Sequence, residues 1–330
     1  MAKRPTKAPL VRLLKPAEFN AASRIIAHSM LGSLQDETVH GWGATFAGSP
    51  AHGAFSESGE LVGAARWFPA DLSLDGGAIP AAAVTGVAVA TNERRKGHLT
   101  RLMNAQLESI AKKKVPIALL VAAEWPIYGR FGYGPAIDAC SLEVSTRAAS
   151  FVERRTGSIE LVDTATLRPH IEAIHQQRWI RTMGAITRDD WFWDRAAGVE
   201  RWPGDAADLG KNRGALWRDD QGNVQGAVGY TVQEGWTDNR PTAVLHVRIL
   251  LGSTPEAERE LWRHLCDVDW AASIRAGNRS IEDPLQLMLT DGRAAVRRDV
   301  VPGCPILCER SRSGIPVAMV VCRGNRLQRR

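Results

Sequence analysis

The chain has 330 residues, 44% of them hydrophobic and 24% charged, the composition of an ordinary water-soluble protein with enough length for two domains and their cores. No apolar run approaches the ~18 residues of a spanning helix. Met1-Ala-Lys-Arg-Pro-Thr-Lys7 is not followed by an apolar signal region either, which leaves the cytoplasm as the expected location. The net charge of +6 is unevenly placed: residues 291–330 hold nine Arg, no Lys and only Asp291, Asp299 and Glu309 against them, so the first 290 residues are neutral overall.

Along the chain, Val11 to Leu14 and Pro16 to Met30 read as a strand and a helix, followed by a hairpin of Ala54–Phe55 with Leu61–Phe68 around Ser56-Glu-Ser-Gly59. The β-branched run Val84, Val87, Val89 reads as the next strand. Leu99, Leu102, Met103, Leu107 and Ile110 share one face of a helix, and Ile117 to Val121 is a further short strand. The pattern then repeats. Ile159–Val162 and Thr164–Thr182 give a strand and a helix, Ala215–Tyr230 a hairpin about Asp-Gln-Gly-Asn, and Ala243–Leu251 a strand running into the helix of Ser253–Leu265. Two units of similar design follow, over 8–150 and 151–290, with an atypical basic segment over 291–330 expected to be poorly ordered.

The junction Val84-Thr-Gly-Val-Ala-Val-Ala-Thr-Asn-Glu-Arg-Arg-Lys-Gly-His-Leu-Thr-Arg-Leu-Met103 carries the chemistry. A helix start has unpaired N–H groups and the positive end of the macrodipole, so the amides from Arg95 to Thr100 can hold a pyrophosphate. Gly97 lets the backbone approach, and Arg94, Arg95 and Lys96 add charge. A solvated helix cap with scattered surface charge is the alternative at this point. The second unit has the same junction without the basic glycine turn: Ser253 or Thr254 caps, Pro255 sits early, and Glu256, Glu258 and Glu260 occupy the positive end, where they would repel a pyrophosphate.

In the tail, Cys304, Cys308 and Cys322 stand without any His, Tyr, Trp or Phe. A structural zinc site takes four ligands, so no metal is expected. Cys140 and Cys266 read as small core hydrophobes. A nucleic-acid arm and an unstructured basic end are the other readings of nine arginines.

About 25 residues past the loop comes Ala122-Ala-Glu-Trp-Pro-Ile-Tyr-Gly-Arg-Phe-Gly-Tyr-Gly-Pro135. Taken with Val-Thr-Gly-Val-Ala-Val and Arg94-Arg-Lys-Gly97, it resembles the Eis (enhanced intracellular survival) branch of the GCN5-related N-acetyltransferases, whose loop reads Arg/Gln-x-x-Gly-x-Gly/Ala. Leu99 departs from the general motif but is common in this branch. The resemblance covers about residues 10 to 290. It implies an α+β architecture of tandem GCN5-related acetyltransferase folds, with mixed, mostly antiparallel sheets flanked by helices, only the first binding acetyl-CoA.

The resemblance also implies roles. The strand edge Val87-Ala88-Val89 would pair with the pantetheine arm. Arg95, Lys96, Gly97, His98, Leu99 and Thr100 would hold the pyrophosphate, with Ala123 and Glu124 beside the cofactor, Ala123 standing where many relatives carry Ser. Tyr128 aligns with the general acid that donates to the departing sulfur, while Tyr133 competes for that role on the residues alone. The proton acceptor of the family is a C-terminal carboxylate, by position that of Arg330, and a water chain or Glu124 are the substitutes. Family acceptors are polycationic amines such as aminoglycosides, for which Asp36, Glu37 and Trp42 could supply charge and an aromatic wall. Family members form homohexamers and continue into a third domain similar to sterol carrier proteins. The switch near Asp291 therefore reads as a frame change or as divergence, and a coenzyme-binding remnant without turnover is an alternative function.

Overall fold

A computed structural model describes residues 10–32, 34–200, 211–303 and 318–322, with 301–303 and 318–322 described by backbone alone. The chain opens with strand β1 (Val11–Leu13), a turn of 3-10 helix over Pro16–Glu18, helix α1 (Phe19–Ser29) and helix α2 (Asp36–Ala44). Strands β2 (Ala51–Phe55), β3 (Leu61–Leu74) and β4 (Gly77–Val89) form an antiparallel meander. Its second turn is Asp75-Gly76, both at positive φ, the residue pair that a tight hairpin favours. Helix α3 (His98–Lys112) returns the chain so that β5 (Ile117–Val121) lies parallel to β4, and the short β6 (Gly134–Pro135) and β7 (Ile137–Ser145) follow.

The second half gives β8 (Ser158–Val162), α4 (Thr164–Arg178), α5 (Asp190–Ala197), β9 (Asn212–Arg218) and β10 (Val224–Gln233). A small ribbon of β11 (Trp236–Thr237) and β12 (Arg240–Pro241) precedes β13 (Ala243–Gly252), α6 (Pro255–Cys266), β14 (Ala271–Ser280), α7 (Leu285–Met288), β15 (Ala295–Gly303) and β16 (Ala318–Cys322). Local signals set the helix starts: Asp163 accepts from the Thr166 amide at 2.7 Å, Asp189 from Phe192 at 2.9 Å and Thr254 from Ala257 at 3.1 Å.

These strands form two seven-stranded mixed sheets, ordered β1-β2-β3-β4-β5-β16-β6 and β15-β7-β14-β13-β10-β9-β8. The architecture is the expected α+β tandem, and the halves exchange strands. β7, which precedes the expected division at 150, pairs with β14 and β15 in the second sheet, while β16 lies between β5 and β6 in the first. Of the basic segment, 295–303 and 318–322 are strands; Cys304 and Cys308 lie outside the described residues.

In the first half, α1 covers one face of the sheet, packing Ala22 and Ile26, together with Phe46 from the turn after α2, against Ala51 and Ala64. Helix α3 covers the other, with Leu102 on Ala54, Val62 and Ala65, and Met103 on Trp67 and Val84. The two halves are joined along the outer edge of β3. Leu72 pairs with Ile186, the Ser73 amide donates to Ala185 O at 2.8 Å, and Ser73 Oγ donates to Ile180 O at 2.7 Å.

Candidate active site

β4 and β5 are paired only from Ala81 with Ile117 to Val84 with Leu120. On the other side of β4 the register with β3 slips between Ala64–Ala88 and Arg66–Thr85, and Gly86 within the slip takes φ +62°. This is a bulge, and it bends the strand at the point where the ladder to β5 ends. The β5-facing edge of Val87, Ala88 and Val89 therefore lies outside the ladder, and side-on pairing by an extended ligand is the use such an edge permits. Val87 is half-buried, and Ser29 Oγ donates to Val89 O at 3.1 Å.

From this edge the chain passes through a turn at Thr91–Glu93 into the basic loop, where Arg95 (φ +65°) and Gly97 (φ +80°) are both left-handed. Gly97 is the N-cap of α3, and no side chain among the described residues accepts from its first turn. The amides of His98, Leu99 and Thr100 are left for an anion. Arg94, Arg95, Lys96 and Thr100 are exposed around them, and the Leu99 side chain, in the first turn of α3, packs against the core. Arg101 steadies the loop by donating to Lys96 O at 2.7 Å.

His98 is divided between backbone and ring. Its amide is at the helix start, but its imidazole is only 3% exposed and faces Glu93 at 3.3 Å. Glu93 also accepts from Lys96 Nζ at 2.8 Å; that bond, ahead of His98, holds its carboxyl below the ordinary value and partly neutralises it beside the loop.

Tyr128 follows the 3-10 turn of Trp125–Ile127 and is 8% exposed, packed in one cluster with Val84, Leu120 and Met103 and with the half-buried Val87 and Leu99. The structure thus brings the Val87 edge, the start of α3 and the Tyr128 ring together. Burial, and secondarily the charge of Glu124, pushes the Tyr128 phenol up to about 12. Tyr133 meets Tyr128 edge-on with ring centroids 5.9 Å apart, and its hydroxyl is buried without a partner. Ala123 and Glu124 are exposed in the loop before Tyr128.

Residues 10–136 match a family model described as an acetyltransferase (GNAT) domain, and residues 184–303 match a second model of the same description. An uncharacterized N-acetyltransferase of Streptomyces griseus is 36% identical over 304 residues, covering 86% of this chain and 70% of that protein. The N-acetyltransferase Eis of Mycobacterium tuberculosis is 33% identical over 245 residues, 72% of this chain and 57% of that protein. The chain is an Eis-like tandem GNAT N-acetyltransferase. Eis1 from Mycobacterium abscessus superposes with a TM-score of 0.75 at 28% identity, over 96% of this chain and 73% of that one. An Enterococcus faecalis protein of unknown function, described as a probable N-acyltransferase, shares the fold with a TM-score of 0.77 at 18% identity.

Of the remaining residues singled out in this Eis-like acyltransferase, Asp36, Glu37 and Trp42 lie on α2, outside that cluster. Asp36, in the first turn of α2, is ion-paired with Arg24, and Glu37 is exposed beside it. Trp42, on the same helix, meets Trp191 of α5 edge-on at 6.3 Å. Arg330 lies outside the described residues. Among the described residues no group of His, Cys, Asp and Glu could hold a metal ion, and no helix is long and apolar enough to cross a membrane.

Sequence reasoning passed over Arg66 on β3, which is 7% exposed, donates to Thr45 O and lies 5.0 Å over the Phe46 ring. The available signal was alternation: Ala64, Arg66 and Phe68 fall on one face of a strand otherwise built of small and aromatic residues. It also passed over Asp189, which caps α5, and Trp191 within that helix.

Proposed function

We propose that this enzyme takes the acetyl group of acetyl-CoA and passes it directly to an amine. One arrangement carries the reading: a bulged strand edge leads into an uncapped, glycine-started helix, and a buried tyrosine closes the same cluster. The chain's residues suit the coenzyme, since the first amides of α3 have no side-chain cap and Gly97 adds no Cβ beside them. Arg95, Lys96, Gly97, His98 (by its amide), Leu99 and Thr100 would hold the pyrophosphate, and the edge of Val87, Ala88 and Val89 the pantetheine amides. When bound, acetyl-CoA supplies an activated thioester.

The protein's own contribution is positioning and a donor. Tyr128, held at about 12, keeps its proton throughout the neutral range. Full delivery to a thiolate of ordinary pKa near 8.5 is uphill by about 5 kcal/mol, so its role is a hydrogen bond to the departing sulfur. Glu124 and the carboxylate of Arg330 are the candidate proton acceptors. The second unit is read as cofactor-free: Thr254 caps α6, and Glu258 within its first turns is held by Arg178 at 2.6 Å and by Arg279 at 3.3 Å.

The acceptor implied by the Eis resemblance is a polycation such as an aminoglycoside, with Asp36, Glu37 and Trp42 at its approach, in a homohexamer of cytoplasmic chains. A continuous thiol-release assay with acetyl-CoA and a multi-amine aminoglycoside, run on the wild type and on Tyr128→Phe after calorimetric titration of coenzyme A, tests the reading. Turnover lost in the variant supports it. Coenzyme binding without turnover on any amine overturns it in favour of a coenzyme-binding remnant.

A further inference from the structure

The loop that leads into α3 takes a shape that its backbone preferences alone would not keep. Arg95 and Gly97 are both left-handed, at φ +65° and +80°, and Arg95 carries a Cβ that disfavours that region. Two sets of contacts hold the loop from within. On one side, Arg101 Nη2 donates to Lys96 O at 2.7 Å, and the same guanidinium lies beside Gly97, where a Cβ would stand 3.0 Å from Nη1. On the other, the Glu93 carboxylate divides its oxygens: Oε1 accepts from Lys96 Nζ at 2.8 Å, and Oε2 meets His98 Nε2 at 3.3 Å. One carboxylate thus spans Gly97, tied to the residue before it and to the residue after it.

On charge alone that carboxylate is out of place. Glu93 is the one acid in the segment 91–101, among Arg94, Arg95, Lys96 and Arg101, and a negative charge there opposes a diphosphate. It does not cap the helix either, since no side chain among the described residues accepts from the first turn of α3. The His98 ring accounts for it. That ring is 3% exposed, its Nδ1 is buried without a partner, and its polar contact among the described residues is Glu93. With the proton on Nε2, the imidazole donates to Glu93 Oε2 and fastens an exposed loop to the buried row of His98, Leu102 and Gln106.

Resting on the coenzyme reading above, we propose that Glu93 and His98 are positioning residues for coenzyme A: together they hold the loop over Glu93–His98 in the shape that presents the first amides of α3 to the diphosphate. Neither side chain touches the coenzyme in this role. Lys96 acts twice, offsetting the charge of Glu93 and adding to the positive field of the loop. Glu93 therefore has two effects of opposite sign, repulsion through its charge and order through its bonds, and the order is the larger.

Calorimetric titration of coenzyme A into the wild type, Glu93→Ala, Glu93→Gln, His98→Phe and the Glu93→Ala/His98→Phe double variant separates the two effects. Glu93→Ala cuts both ties and should weaken binding at least fivefold. Glu93→Gln keeps an oxygen for Lys96 and an amide for the other imidazole tautomer without the charge, so it should bind within twofold of the wild type or more tightly. His98→Phe keeps a buried ring without a nitrogen and should match Glu93→Ala, and the double variant should lose no more than twofold beyond the weaker single variant. In turnover the loss should fall on the KM for acetyl-CoA and leave kcat unchanged. In the coenzyme-free protein, hydrogen exchange at the Arg101 amide, which donates to Gly97 O at 3.2 Å, should quicken in Glu93→Ala and not in Glu93→Gln. Binding by Glu93→Ala as tight as the wild type or tighter would show a carboxylate that only repels, and overturns the inference. Glu93→Gln as weak as Glu93→Ala, or additive losses in the double variant, overturns it equally. The two Glu93 variants carry the test should His98→Phe not fold. If the exchange contrast appears but the wild type binds no coenzyme A, the coenzyme role falls with the reading it rests on, and the tie across Gly97 stands.

Discussion

Tyr128 and Tyr133 lie five residues apart, pack edge-on, are both pushed upward by burial and share the one cluster that reaches the strand edge through Val87; the resemblance, not the packing, singles out Tyr128. Removing its hydroxyl leaves the ring in place, so Tyr128→Phe should keep the melting temperature within a few degrees. It should lower kcat about 100-fold, the lower range for loss of an acid or hydrogen-bond donor. With the phenol at about 12, no loss of activity between pH 7 and 9 should trace to its ionisation; a pH profile of kcat on wild type and variant, compared for a shared or a missing alkaline limb, checks this. The tyrosine was legible because it sits in a dense local motif. The imidazole of His98 was not, because it belongs to a different period: His98, Leu102 and Gln106 form a buried i, i+4, i+8 row along α3, which turns the ring inward while leaving its amide at the loop. Arg66 was missed for the opposite reason, since nothing near it in the chain marks which of its neighbours will be across a domain boundary.

At the scale of single elements, the strand, bulge and helix start from Gly86 to Thr100 depend on two glycines held at positive φ. Gly97→Ala places a Cβ 3.0 Å from Arg101 Nη1, the movable end of a side chain, so the cost is mainly the left-handed backbone, roughly 1 kcal/mol. Coenzyme A affinity should fall about fivefold or more by calorimetry, with the circular dichroism spectrum unchanged. An unchanged dissociation constant would remove the helix start from the coenzyme site. Gly86→Ala is more damaging, because its Cβ meets Ile26 Cδ1 at 3.1 Å inside a packed core and strain at φ +62° adds to it. Relief by straightening would restore the β4 ladder and close the edge, so the KM for acetyl-CoA should rise more than that for the amine. These elements could be read from the sequence because strand, turn and helix are contiguous and each carries its own signal. Boundaries were less legible: Leu61–Phe68 continues to Leu74, as the added residues pair with Gly77–Ala82 beyond an Asp-Gly turn that the apolar pattern does not announce.

For the whole molecule, strand exchange makes the two halves depend on each other. β7 completes the second sheet, and Ile186 of the second half is fully buried among Ala70, Leu72, Ile117 and Leu119 of the first. None of this was legible, because a pairing between residues more than a hundred apart leaves no local trace. Residues 1–150 expressed alone would expose that apolar edge of β3 and an unpartnered β7. Such a fragment should aggregate or give a poorly dispersed NMR spectrum, whereas a well-dispersed monomer would show that the halves fold independently.

The same seam contains a titratable latch. His175 of α4 packs against the Trp193 ring at 5.0 Å and, as the Nε2–H tautomer, donates to Ile186 O at 3.0 Å, the residue whose backbone pairs with Leu72. Burial, the largest cause, lowers its pKa to about 4, with the charges of Arg188 and Arg178 acting in the same direction and the Ile186 bond opposing. The folded protein therefore excludes the imidazolium that the unfolded chain forms below about 6.5. Stability from this group is fully present above pH 6.5 and is lost as the pH falls toward 4, by roughly 3 kcal/mol over that window. Because the strain falls where the halves meet, the first loss on acidification should be protection of the Asp71–Ser73 and Gly184–Thr187 amides in hydrogen exchange, ahead of the sheet cores. His175→Gln can keep a donor toward Ile186 O without a titrating ring, so it should flatten the pH dependence of the melting temperature between 6.5 and 4. An unaltered slope in that variant would move the acid sensitivity of the seam to other groups.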